Sequence, residues 1–271
     1  MKTPPHQRFG GYKVFQGINE FADALVYSAI VVFMLVRPFG IQTFVIPSGS
    51  MVDTLRLSDY IVANKWVYRT SNPEYGDIIV FKPPKDGLVP PATEEETDYI
   101  KRLIGKPGDV IEYKNKVLYR NGQVINEPYV DYTAPGVHNT MDEVLPKNEW
   151  DGVQLADYKL VQLDGKYWSV NMFGSYTNDG GYDAPGPAQQ LAPVFKTTDP
   201  DLQKRLRDAP AAKIPEGYYL FMGDNRNGSY DGRAWGLVPR DSIVGKAWFI
   251  WMPVSRFKML DVRPDYPDIK K

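Results

Sequence analysis

The stretch 99-YIKRLIGKPGDVIEYKNKVLYRNGQVI-125 decides the fold class. It holds three short segments, Tyr99–Ile104, Val110–Tyr113 and Lys116–Tyr119, rich in β-branched and aromatic residues and bounded by Gly, Pro, Asn or Asp. That composition describes strands. Asn121-Gly122 between two apolar runs is a hairpin signal, because both residues accept the left-handed backbone of a tight two-residue turn. The same texture extends outward to Tyr60–Asn64 (YIVAN) and Asp77–Phe81 (DIIVF), and onward to Gly217–Met222 (GYYLFM) and Ile243–Met252 (IVGKAWFIWM). Beyond residue 43 only 199-DPDLQKRLRDA-209 carries a helical pattern. The chain after that point is expected to be mostly β.

Upstream lies 24-ALVYSAIVVFMLV-36, apolar but for Tyr27 and Ser28. It is short for a spanning helix, which needs about 20 residues, and fits a signal-peptide core or a buried helix equally well. Extended over residues 21–42, with Asp23 and Arg37 snorkelling to the interfaces, it reaches spanning length. No A-x-A cleavage pattern follows it, which favours an uncleaved signal-anchor. Lys2, Arg8 and Lys13 precede it and favour a cytoplasmic N-terminus.

Composition removes several classes of chemistry. Lys+Arg total 32 against Asp+Glu 33, a net charge of -1, without the basic excess of a nucleic-acid binder. Cysteine is absent, which excludes disulfides, thiol catalysis and cysteine metal sites. The only histidines are His6 and His138, with no HExxH, so a histidine-built zinc site has little to draw on. A Ser-His-Asp triad would have to use His138, because His6 precedes the apolar run.

Paired acids are a weak alternative, since 53-DTL-55 lacks the glycine of an aspartic-protease loop. A serine with a lysine base remains, which requires an amine kept neutral by burial. In 44-FVIPSGSMVDTL-55, Ser48 and Ser50 flank Gly49 just after the apolar run, as ordinary turn residues or as a nucleophile and its helper. In the strand 99-YIKRLI-104, alternation puts Lys101 on one face and Arg102 on the other. One basic residue must share an apolar face, and either can snorkel out at a sheet edge. The dense polar stretch 223-GDNRNGSYDGRAWG-236 is an elaborate loop or a site wall, in which Asp231 can pair with Arg233 or Arg226.

Together these segments resemble the type I signal peptidases (leader peptidases), membrane-anchored serine proteases. The matching blocks are 46-IPSGSM-51 with 54-TL-55, 59-DYIVANKWVYR-69, 76-GDIIVF-81, 101-KRLIGKPGDVIEY-113 and 222-MGDNRNGSYDGRAWG-236 with 237-LVPRDSIVGKA-247, in the family's order. The resemblance implies Ser50 as nucleophile and Lys101 as general base. It implies that the Ser48 hydroxyl joins the Ser50 N–H in an oxyanion hole and that Ser229 orients the lysine. Asp231 and Arg233 match a structural ion pair beside the site. Val52-Asp53 stands where proline commonly precedes TL, Ser58 where glycine usually precedes Asp59, and Gly232 where serine often sits.

The implied organisation is a cytoplasmic tail (1–20), a transmembrane signal-anchor (21–42), a catalytic β core (43–113 and 216–260), a β-rich insertion (114–215) and a C-terminal tail (261–271). The implied activity is removal of signal peptides from exported preproteins, without metal or cofactor, in the bacterial cytoplasmic (inner) membrane. The catalytic domain would face the extracytoplasmic (periplasmic) side, against lipid and near the export translocon. Small residues are expected just before the cut and two positions further back, with edge-strand pairing to the peptide and with Ile46 and the strand from Tyr60 as pocket walls. A dedicated processing peptidase for a conjugation or pilus substrate, or an inactive tethered β-domain that binds exported chains, are the rival readings. The aromatic runs Trp66–Tyr68 and Trp248–Trp251 are expected to pack in the β core rather than to rest on a membrane interface.

Overall fold

The computed structural model describes residues 8–31, 34, 40–84, 97–130, 157–171, 191–193, 197, 199–226, 228–260 and 266. His6, His138, most of the C-terminal tail and residues 131–156 and 172–190 of the expected insertion lie outside the described residues. In chain order the elements are α1 (Arg8–Val31), β1 (Ile41–Val45), β2 (Tyr60–Asn64), α2 (Val67–Thr70), β3 (Ile78–Phe81), β4 (Tyr99–Gly105), β5 (Ile111–Lys114), β6 (Val117–Arg120), β7 (Gln123–Val124), β8 (Tyr158–Leu163), β9 (Lys166–Asn171), β10 (Leu191–Pro193), α3 (Pro200–Asp208), β11 (Tyr218–Met222), α4 (Gly232–Trp235), β12 (Val238–Pro239), β13 (Ile243–Met252) and β14 (Lys258–Met259). The chain beyond α1 is mostly β, as expected.

Two sheets carry the fold. One runs β1-β2-β13-β3-β4-β11-β12, with β14 on β13, and the other runs β10-β9-β8-β5-β6-β7. The chain passes from the first sheet to the second at 106-KPGD-109, where Gly108 adopts φ +88°, open to glycine at no steric cost. Asn121 and Gly122, at φ +54° and +79°, turn β6 into β7 as their sequence requires. Asp164 and Gly165 do the same between β8 and β9. In α3, Asp199 caps the N-terminus by accepting from the Asp201 N–H, and Pro200 occupies the first helical position.

Ile104, Leu220 and Met222 from the first sheet pack with Ile111, Tyr113, Leu118, Tyr158 and Leu160 from the second, joining the sheets through one apolar layer. Ile61, Ala63, Ile78, Val80, Ala247 and Ile250 line one face of the first sheet, and Ile79, Phe81, Leu103 and Phe221 belong to a separate cluster. Strands buried on both faces read as continuous apolar runs, which explains DIIVF.

Two expectations need correction. The aromatic runs do not simply pack inward: Trp66, Trp248 and Trp251 are exposed, while Tyr68 is buried. Ile41, Val45 and Tyr60 on β1 and β2 are also exposed, so the β1-β2-β13 end of the first sheet presents apolar surface to the outside. Neither Lys101 nor Arg102 snorkels to solvent, because both sides of β4 are covered and both side chains are buried.

In α1 the residues from Val14 to Val31 are exposed, Phe21, Leu25 and Tyr27 among them. Among the described residues no helix is long and apolar enough to cross a membrane. Residues 32–33 and 35–39 of the expected anchor lie outside the described residues.

The close approach of β13 to β2 generates a stability prediction. A Cβ on Gly245 would stand 2.7 Å from the Asn64 carbonyl oxygen and 3.1 Å from Lys65 Cα, backbone atoms that cannot rotate aside. Gly245→Ala should lower stability by about 1–3 kcal/mol, the usual cost of overpacking, read as a shifted denaturant midpoint of the purified chain. An unchanged midpoint would show that the two strands part without cost.

Candidate functional site

The loop between β1 and β2 places Ser48 and Ser50. It is closed at its base by Ile46 N–H to Asp59 O (2.9 Å) and Ser58 N–H to Ile46 O (2.9 Å). The Asp59 carboxylate accepts from the Arg56 N–H at 2.8 Å and takes two bonds from Arg256, at 2.7 and 2.9 Å. Ser58 sits at φ +63°, in the left-handed region that glycine adopts most readily. Met51 and Leu55 are fully buried and anchor the loop from below. Ser50 is buried, and Ser48 at the loop's crest is exposed.

Strand β4 brings Lys101 to this loop. Lys101 Nζ donates to Ser50 Oγ at 2.7 Å and to its neighbour's carbonyl, Ile100 O, at 3.2 Å. The two serine hydroxyls lie 3.3 Å apart. Lys101 is 5% exposed, and burial takes its pKa from 10.5 to about 8. The charges of Asp231 and Asp224 pull it back up, and that of Arg233 pushes it further down.

The polar loop after β11 forms the opposite wall. Asn225 N–H donates to Ser50 O at 3.1 Å, and its side-chain amide donates to Gly49 O at 3.2 Å. Asp231 caps α4 and pairs with Arg233 through two bonds of 2.9 Å. It also accepts from the Gly223 N–H at 2.9 Å. Burial pushes the Asp231 carboxyl up, but Arg233 and these hydrogen bonds outweigh it and hold the pKa below the carboxylate range. Of the two partners open to Asp231 by sequence, the structure selects Arg233.

Ser229 stands against the same loop. A Cβ on Gly223 would lie 2.2 Å from Ser229 Oγ and 2.4 Å from Ser50 O, so only glycine fits between them. The Ser229 hydroxyl is buried without a hydrogen-bond partner of full geometry among the described residues. The structure therefore brings Ser50 into contact with both Ser48 and Lys101, and Ser229 close to Gly223 without a hydrogen bond to the amine.

Several residues at the site had no assigned role. Arg102 forms a two-bond pair with Asp224, 2.8 and 2.6 Å, and donates to Gly76 O at 2.8 Å. Thr54 Oγ1 donates to Asp224 Oδ2 at 2.6 Å and ties the serine loop to that pair. Arg226 pairs with Glu127 at 2.7 and 2.5 Å. Asp224, Asn225 and Arg226 stood inside the quoted polar stretch, so density of polar residues was their signal. Glu127 had none, lying in a segment of weak periodicity.

Residues 18–252 match the family described as signal peptidase, peptidase S26. The signal peptidase I of Aquifex aeolicus (strain VF5) is 34% identical over 235 residues, 83% of this chain and 81% of that protein. That of Rickettsia typhi (strain ATCC VR-144 / Wilmington) is 32% identical over 243 residues, 82% of this chain and 76% of its own. A crystal structure of a signal peptidase I from Enterococcus faecalis V583 covers 65% of this chain and 97% of its own at 22% identity. Its TM-score of 0.32 is too low to support any structural argument. With a family match across most of its length and relatives above 30% identity over four-fifths of it, the chain belongs to the signal peptidase, peptidase S26, family.

Proposed function

We propose that this chain is a signal peptidase I, a serine endopeptidase that removes N-terminal signal peptides from exported preproteins with Ser50 as nucleophile and Lys101 as general base. The observation that carries the reading is the buried 2.7 Å contact between Lys101 Nζ and Ser50 Oγ. With a pKa of about 8, about one lysine in ten is neutral at pH 7, against fewer than one in a thousand for a free lysine. The neutral amine takes the hydroxyl proton as Ser50 Oγ attacks the scissile carbonyl carbon. The carbonyl oxygen gains negative charge, and the Ser48 hydroxyl and Ser50 N–H are the donors assigned to receive it. The lysine then protonates the leaving amine, and water, deprotonated by the same lysine, hydrolyses the Ser50 ester.

The finer reading keeps the chain at the bacterial cytoplasmic membrane, anchored through residues 21–42 with the β domain on the extracytoplasmic side, near the translocon. The exposed apolar edge formed by Trp66, Trp248, Trp251 and β1 supports this, since aromatic side chains at such an edge suit a lipid interface. Small residues before the cut and edge-strand pairing remain the proposed mode of recognition.

Incubating a labelled preprotein with the detergent-solubilised chain tests the activity directly. Ser50→Ala should abolish cleavage without unfolding the protein, and Ser48→Ala should lower kcat by about 10²–10³ with little change in KM. Cleavage retained by Ser50→Ala would exclude it as nucleophile.

Lys101 predicts the pH profile. Its lowered pKa means the base is unprotonated above about pH 8, so kcat/KM should rise tenfold per unit below that value and level off above it. Lys101→Arg keeps the charge but offers no neutral base, and should be as inactive as Lys101→Ala. A profile still rising at pH 10 would contradict a desolvated amine.

Topology gives a third check. Protease added to spheroplasts should digest the β domain and spare the tail before residue 21. Protection of the domain would reverse the orientation.

A further inference from the structure

We infer that Glu127 is a positioning residue for this site: through Arg226 it holds the backbone of Gly223 to Asn225 against the loop that carries Ser50. The inference rests on the Ser50/Lys101 reading above. Glu127 follows β7, in the stretch whose sequence read as an insertion apart from the catalytic core. Its side chain is 6% exposed and that of Arg226 is fully buried. The guanidinium is held by both Glu127 oxygens, and its Nε–H donates to Gly223 O at 3.0 Å. Arg233 in turn donates to Arg226 O at 2.9 Å.

From Gly223 the path to the chemistry has no slack. The position where a Cβ would stand lies 2.4 Å from Ser50 O, and two residues on, Asn225 bonds Ser50 O and Gly49 O. A displacement of Gly223 toward the loop presses on Ser50 or Ser229, and one away from it pulls on the Asn225 bonds to Ser50 O and Gly49 O. The same short segment also steadies the loop from its other side. Tyr129 OH donates to Glu127 Oε1 at 2.8 Å, and its ring lies 3.9 Å from the Arg102 guanidinium that grips Asp224. Glu127 and Tyr129 thus touch two of the three arginines that hold the loop from Gly223 to Arg226, Arg226 and Arg102.

A buried Arg–Glu pair is a poor source of net stability, because desolvation offsets most of its Coulomb gain. What it does supply is a fixed direction for five N–H donors. Removing the carboxylate leaves a buried guanidinium uncompensated, and it must draw in water or leave, releasing Gly223 O.

The test uses the full chain with a labelled preprotein. Glu127→Gln should lower kcat by about 10- to 100-fold, as for a misplacement of up to about 1 Å, with KM within about threefold. The assay runs below the melting temperature of the variant, with kcat expressed per folded molecule by near-UV circular dichroism. Should Glu127→Gln not fold, E127Q/R226M removes both buried charges; it should fold and still show the lowered kcat, because Gly223 O has lost its donor. Turnover within twofold of the parent in either folded variant overturns the inference, as does a loss confined to KM or one equal to the unfolded fraction. Activity in Ser50→Ala would sink the nucleophile assignment, whereas parent-like turnover in Glu127→Gln sinks only this inference.

Discussion

The 2.7 Å contact between Lys101 Nζ and Ser50 Oγ is made away from water, and keeping it so determines what can surround it. An amine in a polar, wet cleft would stay protonated, so the walls must be apolar or internally satisfied. Met51 and Leu55, on the loop that carries Ser50, are buried in the apolar cluster of the first sheet. The opposite wall is polar backbone and arginine, and there each charge is matched before it faces the lysine. Asp231 is paired with Arg233 and Asp224 with Arg102; the two carboxylates still pull the lysine's pKa up, Arg233 opposes them, and burial outweighs them.

Such matching has a cost. Burying Arg102, Arg226 and Arg233 strips three guanidinium groups of water, and their partners return little beyond break-even. The return is geometric. Each guanidinium offers donors in a fixed plane, and they spend them on Gly76 O, Gly223 O and Arg226 O, carbonyls that strand ladders do not satisfy. The irregular segment from Gly223 to Arg226 is thereby held without a strand ladder of its own.

How much of this was legible depended on whether the information was local. Strand positions were, because β-branched runs bounded by turn residues need no distant partner to be recognised, and Ile243–Met252 emerged with the bounds its composition marks. The helical stretch 199-DPDLQKRLRDA-209 and the Asn121-Gly122 turn were legible for the same reason. Which of Lys101 and Arg102 stays inside was not, since alternation assumes one solvated face and β4 has none. Glu127 was invisible because its partner is 99 residues away and its own neighbourhood has no period. The outward tryptophans were misjudged because a strand pattern does not say whether its outer face meets water or something apolar.

The sequence separations of the site contacts carry a consequence for the order of synthesis. Ser50 meets Lys101 across 51 residues, Arg102 meets Asp224 across 122, and Asn225 reaches Gly49 across 176. Contacts this remote form late, because each must first close a long loop of chain. A ribosome that has made the serine and the lysine has not yet made the wall that aligns them. The surroundings that hold Ser50 against Lys101 are therefore complete only once the Gly223–Trp235 stretch has emerged and docked.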